Sequence, residues 1–247
     1  MCGLQDTDLR AASSDDTFRG DSRGSRFDFD NVAKRYDQWY DTPHGAVYDR
    51  LEKKAIDKLL KDQTEGNKLL EVGCGTGHWS RFFSARGFEV TGIDISERMI
   101  QAARNKNIAR SSFHMANGHN MGFADNSFDI AAAITTLEFA ADPEAMIAEM
   151  ARCVRKPGGK LLFGVLNALS GYNQERQNRA GSPYASATMF SPGQLRALLQ
   201  SLGRVQMIIA GFVPRHRRLL ALAPVFELAG RLTNHQRGAF IAAKVRL

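Results

Sequence analysis

From Asn31 onward the apolar positions of the chain switch repeatedly between a strand-like and a helix-like period. Short runs dense in Val, Ile, Leu and Phe predict strands at Lys68–Val72, Glu89–Ile93, Ser112–Met115, Asp129–Ile134, Lys160–Leu166, Val205–Ala210 and Ala239–Val245. Between them a period near 3.6 predicts helices at His78–Ala85, Glu97–Asn105, Pro143–Val154 and Pro192–Leu202. Ser96 and Ser191 stand where N-caps belong, and Pro192 takes the first turn behind the second of them. Strands that alternate with helices imply an α/β fold, a mostly parallel sheet covered on both faces.

Upstream, Val32, Tyr36, Trp39 and Tyr40 fall near one helical face, Pro43 interrupts that pattern, and a second helix is expected over Ala46–Leu60. Residues 1–26 carry Ser, Asp, Arg and Gly without either period and read as a disordered tail, leaving 27–247 as a single domain with a helical N-terminal cap. Two stretches break the rhythm. Residues 167–190 are polar and punctuated by glycine, the pattern of an inserted lid. Arg217–Leu232 is amphipathic and rich in Leu and Ala.

Composition narrows the setting. No apolar run approaches the roughly 20 residues that a spanning helix needs, and the first residues do not look like a secretory signal. Cys2, Cys74 and Cys153 are too few and too widely spaced for a disulfide framework, so a cytoplasmic location is expected. No His, Asp and Glu cluster stands at metal-ligand spacing, so no metal is expected. The net charge of +7 is concentrated late in the chain, where Arg215, Arg217, Arg218, Arg231, Arg237, Lys244 and Arg246 face Glu227 alone. Such a segment can be a solvated basic face, or it can attract an anionic partner. Beside Leu219, Leu220, Leu222, Val225 and Phe226 its most physical use is peripheral contact with an anionic membrane. No aromatic-basic RNA-binding pattern accompanies it, which argues against nucleic acid.

The chemistry centres on Glu71-Val72-Gly73-Cys74-Gly75-Thr76-Gly77, at the end of one strand and the start of a helix. Glycines there let the backbone approach a ligand with no Cβ in the way. The carboxyl end of a strand is where open α/β sheets bind ligands. The next strand ends in Gly92-Ile93-Asp94-Ile95-Ser96, and a carboxylate at that place can accept from both hydroxyls of a ribose.

With Tyr36-Asp37-Gln38-Trp39, Phe123-Ala124-Asp125-Asn126-Ser127-Phe128-Asp129 and Pro157-Gly158-Gly159 in the same order, the chain resembles the class I S-adenosylmethionine-dependent methyltransferases, in the branch that includes ubiquinone-biosynthesis-like enzymes. The resemblance implies a doubly wound, Rossmann-like, seven-stranded sheet with an antiparallel last strand, and S-adenosylmethionine as cofactor. It implies that Gly73, Gly75 and Gly77 line the methionine moiety and ribose, with Glu71 orienting the amino end. Asp94 then holds the ribose, Ile95 and Met99 flank adenine, and Asn117-Gly118 read the adenine edge, Asn117 standing where the family usually has an acid. Ile134 and Thr135 touch the methionine part, and Tyr36 and Tyr40 close the site. Phe139 stands where the family often has a histidine, so no general base can be read there and the catalytic residues stay unassigned.

The acceptor is expected to be a small molecule, its nucleophilic atom left open among O, N, S and C. Glu138, Phe139, Tyr172, Arg176 and Tyr184 are the candidate substrate residues. Two other readings remain beside this one: a cofactor-binding protein with a regulatory or interaction role, and an RNA-modifying methyltransferase. Oligomeric state is not legible.

Overall fold

A computed structural model describes residues 24–61, 66–233 and 235–247. Among them, seven strands form one sheet in the order β3-β2-β1-β4-β5-β7-β6. The strands are β1 (Lys68–Val72), β2 (Glu89–Asp94), β3 (Ser111–Met115), β4 (Ile130–Ile134), β5 (Lys160–Leu166), β6 (Arg204–Ala210) and β7 (Phe240–Arg246). The first five pair in parallel, and β7 lies antiparallel to both β5 and β6. Every residue of β4 and β5 is buried, as expected for central strands covered on both faces.

The helices are α1 (Gln38–Asp41), α2 (Pro43–Leu60), α3 (His78–Ser84), α4 (Glu97–Asn105), α5 (Pro143–Cys153), α6 (Gly171–Asn178), α7 (Pro192–Leu199) and α8 (Ala223–Leu232). One face of the sheet packs on α5 and α7 through Ile147, Met150, Leu195 and Leu199. The other packs on α2 and α3 through Ile56, Leu59, Phe82 and Phe83. The chain leaves β1 toward β2 and β3 on one side and later returns to place β4 on the other. The strand order therefore reverses at β1 and β4, and a crevice opens at their carboxyl ends.

The break at Pro43 is found, between α1 and α2, but three expectations change. α2 starts at Pro43 itself and not at Ala46: the proline takes the first turn, where its missing N–H costs nothing, and Thr42 caps that turn by accepting from Gly45 N at 3.0 Å. The expected tail ends sooner, because Ser25 bridges Ala140 and Arg26 N donates to Phe139 O at 2.7 Å; residues 1–23 lie outside the described set. The insertion at 167–190 is not a bare loop, since it holds α6 and a short 3-10 turn at Pro183–Ser186.

Candidate functional site

At the crevice the chain turns sharply after β1. Gly75 has φ +52° and a Cβ there would meet only Tyr36, at 4.0 Å, so its backbone faces open space. Gly77 also has a positive φ but faces inward, where a Cβ would lie 2.8 Å from Ile108 Cδ1. This corrects one expected role: Gly77 lets α3 start against α4 and does not line the cavity. Gly75 N donates to Asp94 Oδ2 at 2.8 Å, and Ser96 N donates to Asp94 Oδ1 at 2.9 Å. Backbone N–H groups thus hold both carboxylate oxygens, and the acceptor capacity left over is open to a ligand. Burial raises the Asp94 pKa above its ordinary value despite these bonds.

The open space is a cavity lined by Gly73, Gly75, Asp94, Ile95, Met99, Asn117, Gly118, Thr135 and Tyr36, among others. Sequence reasoning named all of these. It missed Ser25 and Phe29, which reach the same cavity from the N-terminal segment. That segment is held down where Asp30 Oδ1 accepts from Ser96 Oγ, the same hydroxyl that accepts from Met99 N to cap α4. Thr76 Oγ1 donates to Asp37 Oδ1 at 2.6 Å and ties the next stretch to the glycine turn.

Three residues expected at the ligand sit elsewhere or are already engaged. Glu71 is buried beneath the turn, where Ser80 Oγ donates to its Oε2 at 2.5 Å, and burial pushes its pKa up to about 8. Ile134 turns away into the core on the α2 side of the sheet. Asn117 does line the cavity, but its Oδ1 accepts from His119 N at 3.0 Å and lies 2.9 Å from His119 Nδ1. That oxygen is thus engaged in closing the turn through His119, and its expected role as a reader of adenine is shared with that task.

A second cavity adjoins the first and shares Phe29, Tyr36, Thr135 and Phe139 with it. Trp39, Tyr40, Leu166, Pro183 and Tyr184 add apolar and aromatic wall, and Glu52 and Arg176 bring charge. Tyr40 therefore belongs to this cavity and not to the first; its ring stacks on His78 with centroids 3.6 Å apart. Burial drives the hydroxyl pKa of Tyr36 and of Tyr40 well above the ordinary range, so both stay neutral. Thr135 is a β-branched residue at φ +51°, an uncommon conformation that the Thr135 N to Gly164 O bond at 2.6 Å helps to hold.

Of the candidate substrate residues, Phe139, Arg176 and Tyr184 line the second cavity. Tyr172 and Glu138 do not. Tyr172 stacks on Tyr48 with centroids 4.7 Å apart. Glu138 is fully buried and accepts from Leu166 N, which ties the 137–139 turn to β5; burial pushes its pKa up to about 7. Glu52 was not foreseen.

The first cavity fits a nucleoside bearing a short polar tail. The strand-end carboxylate has spare acceptor capacity, Ile95 and Met99 offer apolar faces, and the Gly75 backbone is bare. Residues 70–163 match a family model described as a methyltransferase domain. An uncharacterized protein of Methanocaldococcus jannaschii is 32% identical over 177 residues, which is 71% of this chain and 80% of that protein. A demethylmenaquinone methyltransferase of Tropheryma whipplei is 36% identical over 54% of this chain, which spans only 55% of that enzyme's length. In fold, a solved S-adenosylmethionine-dependent methyltransferase of Thermotoga maritima superposes with a TM-score of 0.68 at 24% identity, covering 88% of this chain and 97% of that one.

Proposed function

The chain belongs to the class I S-adenosylmethionine-dependent methyltransferases, and we propose that within that family it methylates a small molecule held in the aromatic second cavity. S-adenosylmethionine is its cofactor, and it supplies an electrophilic methyl group on a sulfonium sulfur. The observation that carries the proposal is the shared wall: Tyr36, Thr135, Phe139 and Phe29 border both cavities, so a ligand in one abuts a ligand in the other.

Alignment is most of what such a transfer asks of the protein. Asp94, Ile95 and Met99 would hold the nucleoside end, and the Gly73–Gly75 backbone would border the tail. Phe29, Tyr36 and Phe139 would exclude water from the junction. The test is transfer of a labelled methyl group from S-adenosylmethionine into a fractionated small-molecule extract, with S-adenosylhomocysteine measured alongside. One labelled product matched by equal S-adenosylhomocysteine supports the reading; cofactor binding with no labelled product from any fraction would oppose it.

A peripheral lipid contact is also part of this reading. Six of the eight exposed large apolar residues among the described ones lie between 219 and 232: Leu219, Leu222, Val225, Phe226, Leu228 and Leu232. Arg215, Arg217 and Arg218 stand exposed beside them. Apolar side chains flanked by unburied arginines complement an anionic bilayer surface. No described helix is long and apolar enough to cross a membrane.

A further inference from the structure

The second cavity has mostly apolar walls, yet two charged side chains face it from different helices: Arg176 from α6 and Glu52 from α2. The Arg176 guanidinium lies 3.7 Å from the centroid of the Tyr184 ring, 5.2 Å from that of Tyr172 and 5.6 Å from that of Trp39. It makes no hydrogen bond and no ion pair with any described residue. Other arginines show the contrast. Arg215 pairs with Glu175 of the same α6 at 2.7 Å, and Arg152 reaches Glu149 and Asp125. Arg176 is oriented by ring faces alone, which leaves its in-plane donors without acceptors.

Glu52 does not neutralise it. The residue is 7% exposed, and its carboxyl likewise has no hydrogen bond or ion pair among the described residues. Burial, with Asp49 nearby, pushes its pKa up to about 8 even though Arg176 and Lys53 pull the other way. At neutral pH the cavity therefore carries the guanidinium charge with no described side chain ion-paired to it. The half-buried guanidinium, held between aromatic rings with its donors open toward the cavity, is placed to receive a matched anion. A planar fork of donors matches a carboxylate bidentately, which a point charge could not do.

We propose that Arg176 is the recognition site for a carboxylate on the acceptor, so that the substrate class is an organic acid with an apolar or aromatic body. The aromatic walls take the body, Arg176 takes the carboxylate, and the protonated Glu52 donates to a further oxygen of the same molecule. This assigns a handle for binding and leaves the methylated atom open. It rests on the reading of the second cavity as the acceptor site.

The test is calorimetry with 2-naphthoate and its neutral counterpart 2-naphthamide, on the full chain with and without S-adenosylhomocysteine. Naphthoate is expected to bind at least about tenfold more tightly than the amide, the scale of a charge-assisted bidentate pair. R176Q should erase that preference while S-adenosylhomocysteine affinity holds, and R176K should keep only part of it. Equal affinities for acid and amide, no binding of either at millimolar concentration, or a preference that survives R176Q would each overturn the proposal. Should R176Q fail to fold, the wild-type acid-to-amide ratio and R176K decide it. A chain that bound naphthoate through Arg176 but never S-adenosylhomocysteine would sink the methyltransferase reading instead, so the two failures are distinguishable.

Discussion

Gly75 N donates to Asp94 Oδ2 at 2.8 Å, so the glycine turn after β1 and the acidic end of β2 are held by one hydrogen bond. The carboxylate consequently has two tasks, shaping the turn and offering its remaining lone pairs to a ligand. Asp94→Ala removes both and is expected to weaken S-adenosylmethionine binding by about 1–3 kcal/mol, the range for lost hydrogen bonds to a charged group. Asp94→Asn keeps one acceptor oxygen and should lose less. Calorimetry that found the alanine variant binding as tightly as wild type would remove Asp94 from the cofactor site.

The last two glycines of that turn, Gly75 and Gly77, should separate under the same substitution. Gly75→Ala places a methyl group into the cavity at a left-handed position that costs about 1–2 kcal/mol for a side chain, with only Tyr36 near it. Cofactor affinity is expected to fall more than stability does. At Gly77 the new Cβ meets Ile108 Cδ1 at 2.8 Å and Ala103 Cβ at 3.3 Å, so the partly buried Ile108 must shift and crowding against α4 adds to the conformational cost. Urea unfolding should therefore show Gly77→Ala as the less stable variant, with the larger binding defect in Gly75→Ala. The reverse ranking would contradict the placement of both.

Three buried glutamates give the fold a pH dependence of definite sign. Burial lifts Glu52 and Glu71 to about 8 and Glu138 to about 7, whereas an unfolded chain titrates glutamate near about 4.3. Between those values the folded state binds more protons than the unfolded state, so stability falls as pH rises from about 4.5 toward 8. Asp49 and Glu149 are shifted downward and act below that window. Urea midpoints of the ligand-free protein should drop between pH 5.5 and 8, and Glu71→Gln, which still accepts from Ser80 Oγ, should flatten the slope. A midpoint that rose over this range would mean these carboxyls are not buried as described.

The apolar, arginine-flanked surface at 219–232 predicts binding to vesicles of phosphatidylglycerol and phosphatidylcholine that weakens with salt and vanishes on phosphatidylcholine alone. Val225→Ser with Phe226→Ser should reduce co-sedimentation several-fold, because both side chains are exposed, at 62% and 45%, and support no core. Undiminished binding by that double variant, or none by the wild type, would leave lipid out of the partners.

What the chain reveals in advance depends on how local the cause is. The bounds of β1, β5 and α4 follow from short-range pattern and caps, and they are found where the pattern puts them. Gly75, Asp94 and Met99 are legible because a strand end and a glycine turn place them whatever the rest of the fold does. Glu52 gave no such signal. Beside Lys53 and Lys54 it looks like one more charge on an amphipathic helix, and only α6 and the N-terminal aromatics bury it. Phe29 lies in a three-residue turn too short to have a period. The helix in the insertion was hidden for a related reason. α6 buries Asn173 alone, so it is held by polar bonds and carries no apolar stripe.

Those polar bonds lead to the last prediction. Asn167 Nδ2 donates to Gln236 O and to Gly238 O, each at 2.7 Å. Asn173 Nδ2 donates to Ala239 O at 2.7 Å and to Asn167 O at 3.0 Å. Two buried amides thus fasten the 167–190 insertion to the strand entry of β7, and α6 in turn carries Arg176 to the second cavity. Asn173→Ala would remove two side-chain hydrogen bonds, each worth about 0.5–1.5 kcal/mol, while Ala239 O keeps Asn167 N and Asn167 O keeps Ser170 N as donors. If the insertion is the lid over the acceptor, loosening its latch should raise the KM for the acceptor and lower kcat together. S-adenosylhomocysteine affinity should stay within about twofold of wild type, since Asp94 and the glycine turn are fixed by separate bonds. Steady-state kinetics beside calorimetry would show this split, and a variant that lost cofactor affinity while keeping its acceptor KM would place the insertion at the cofactor instead.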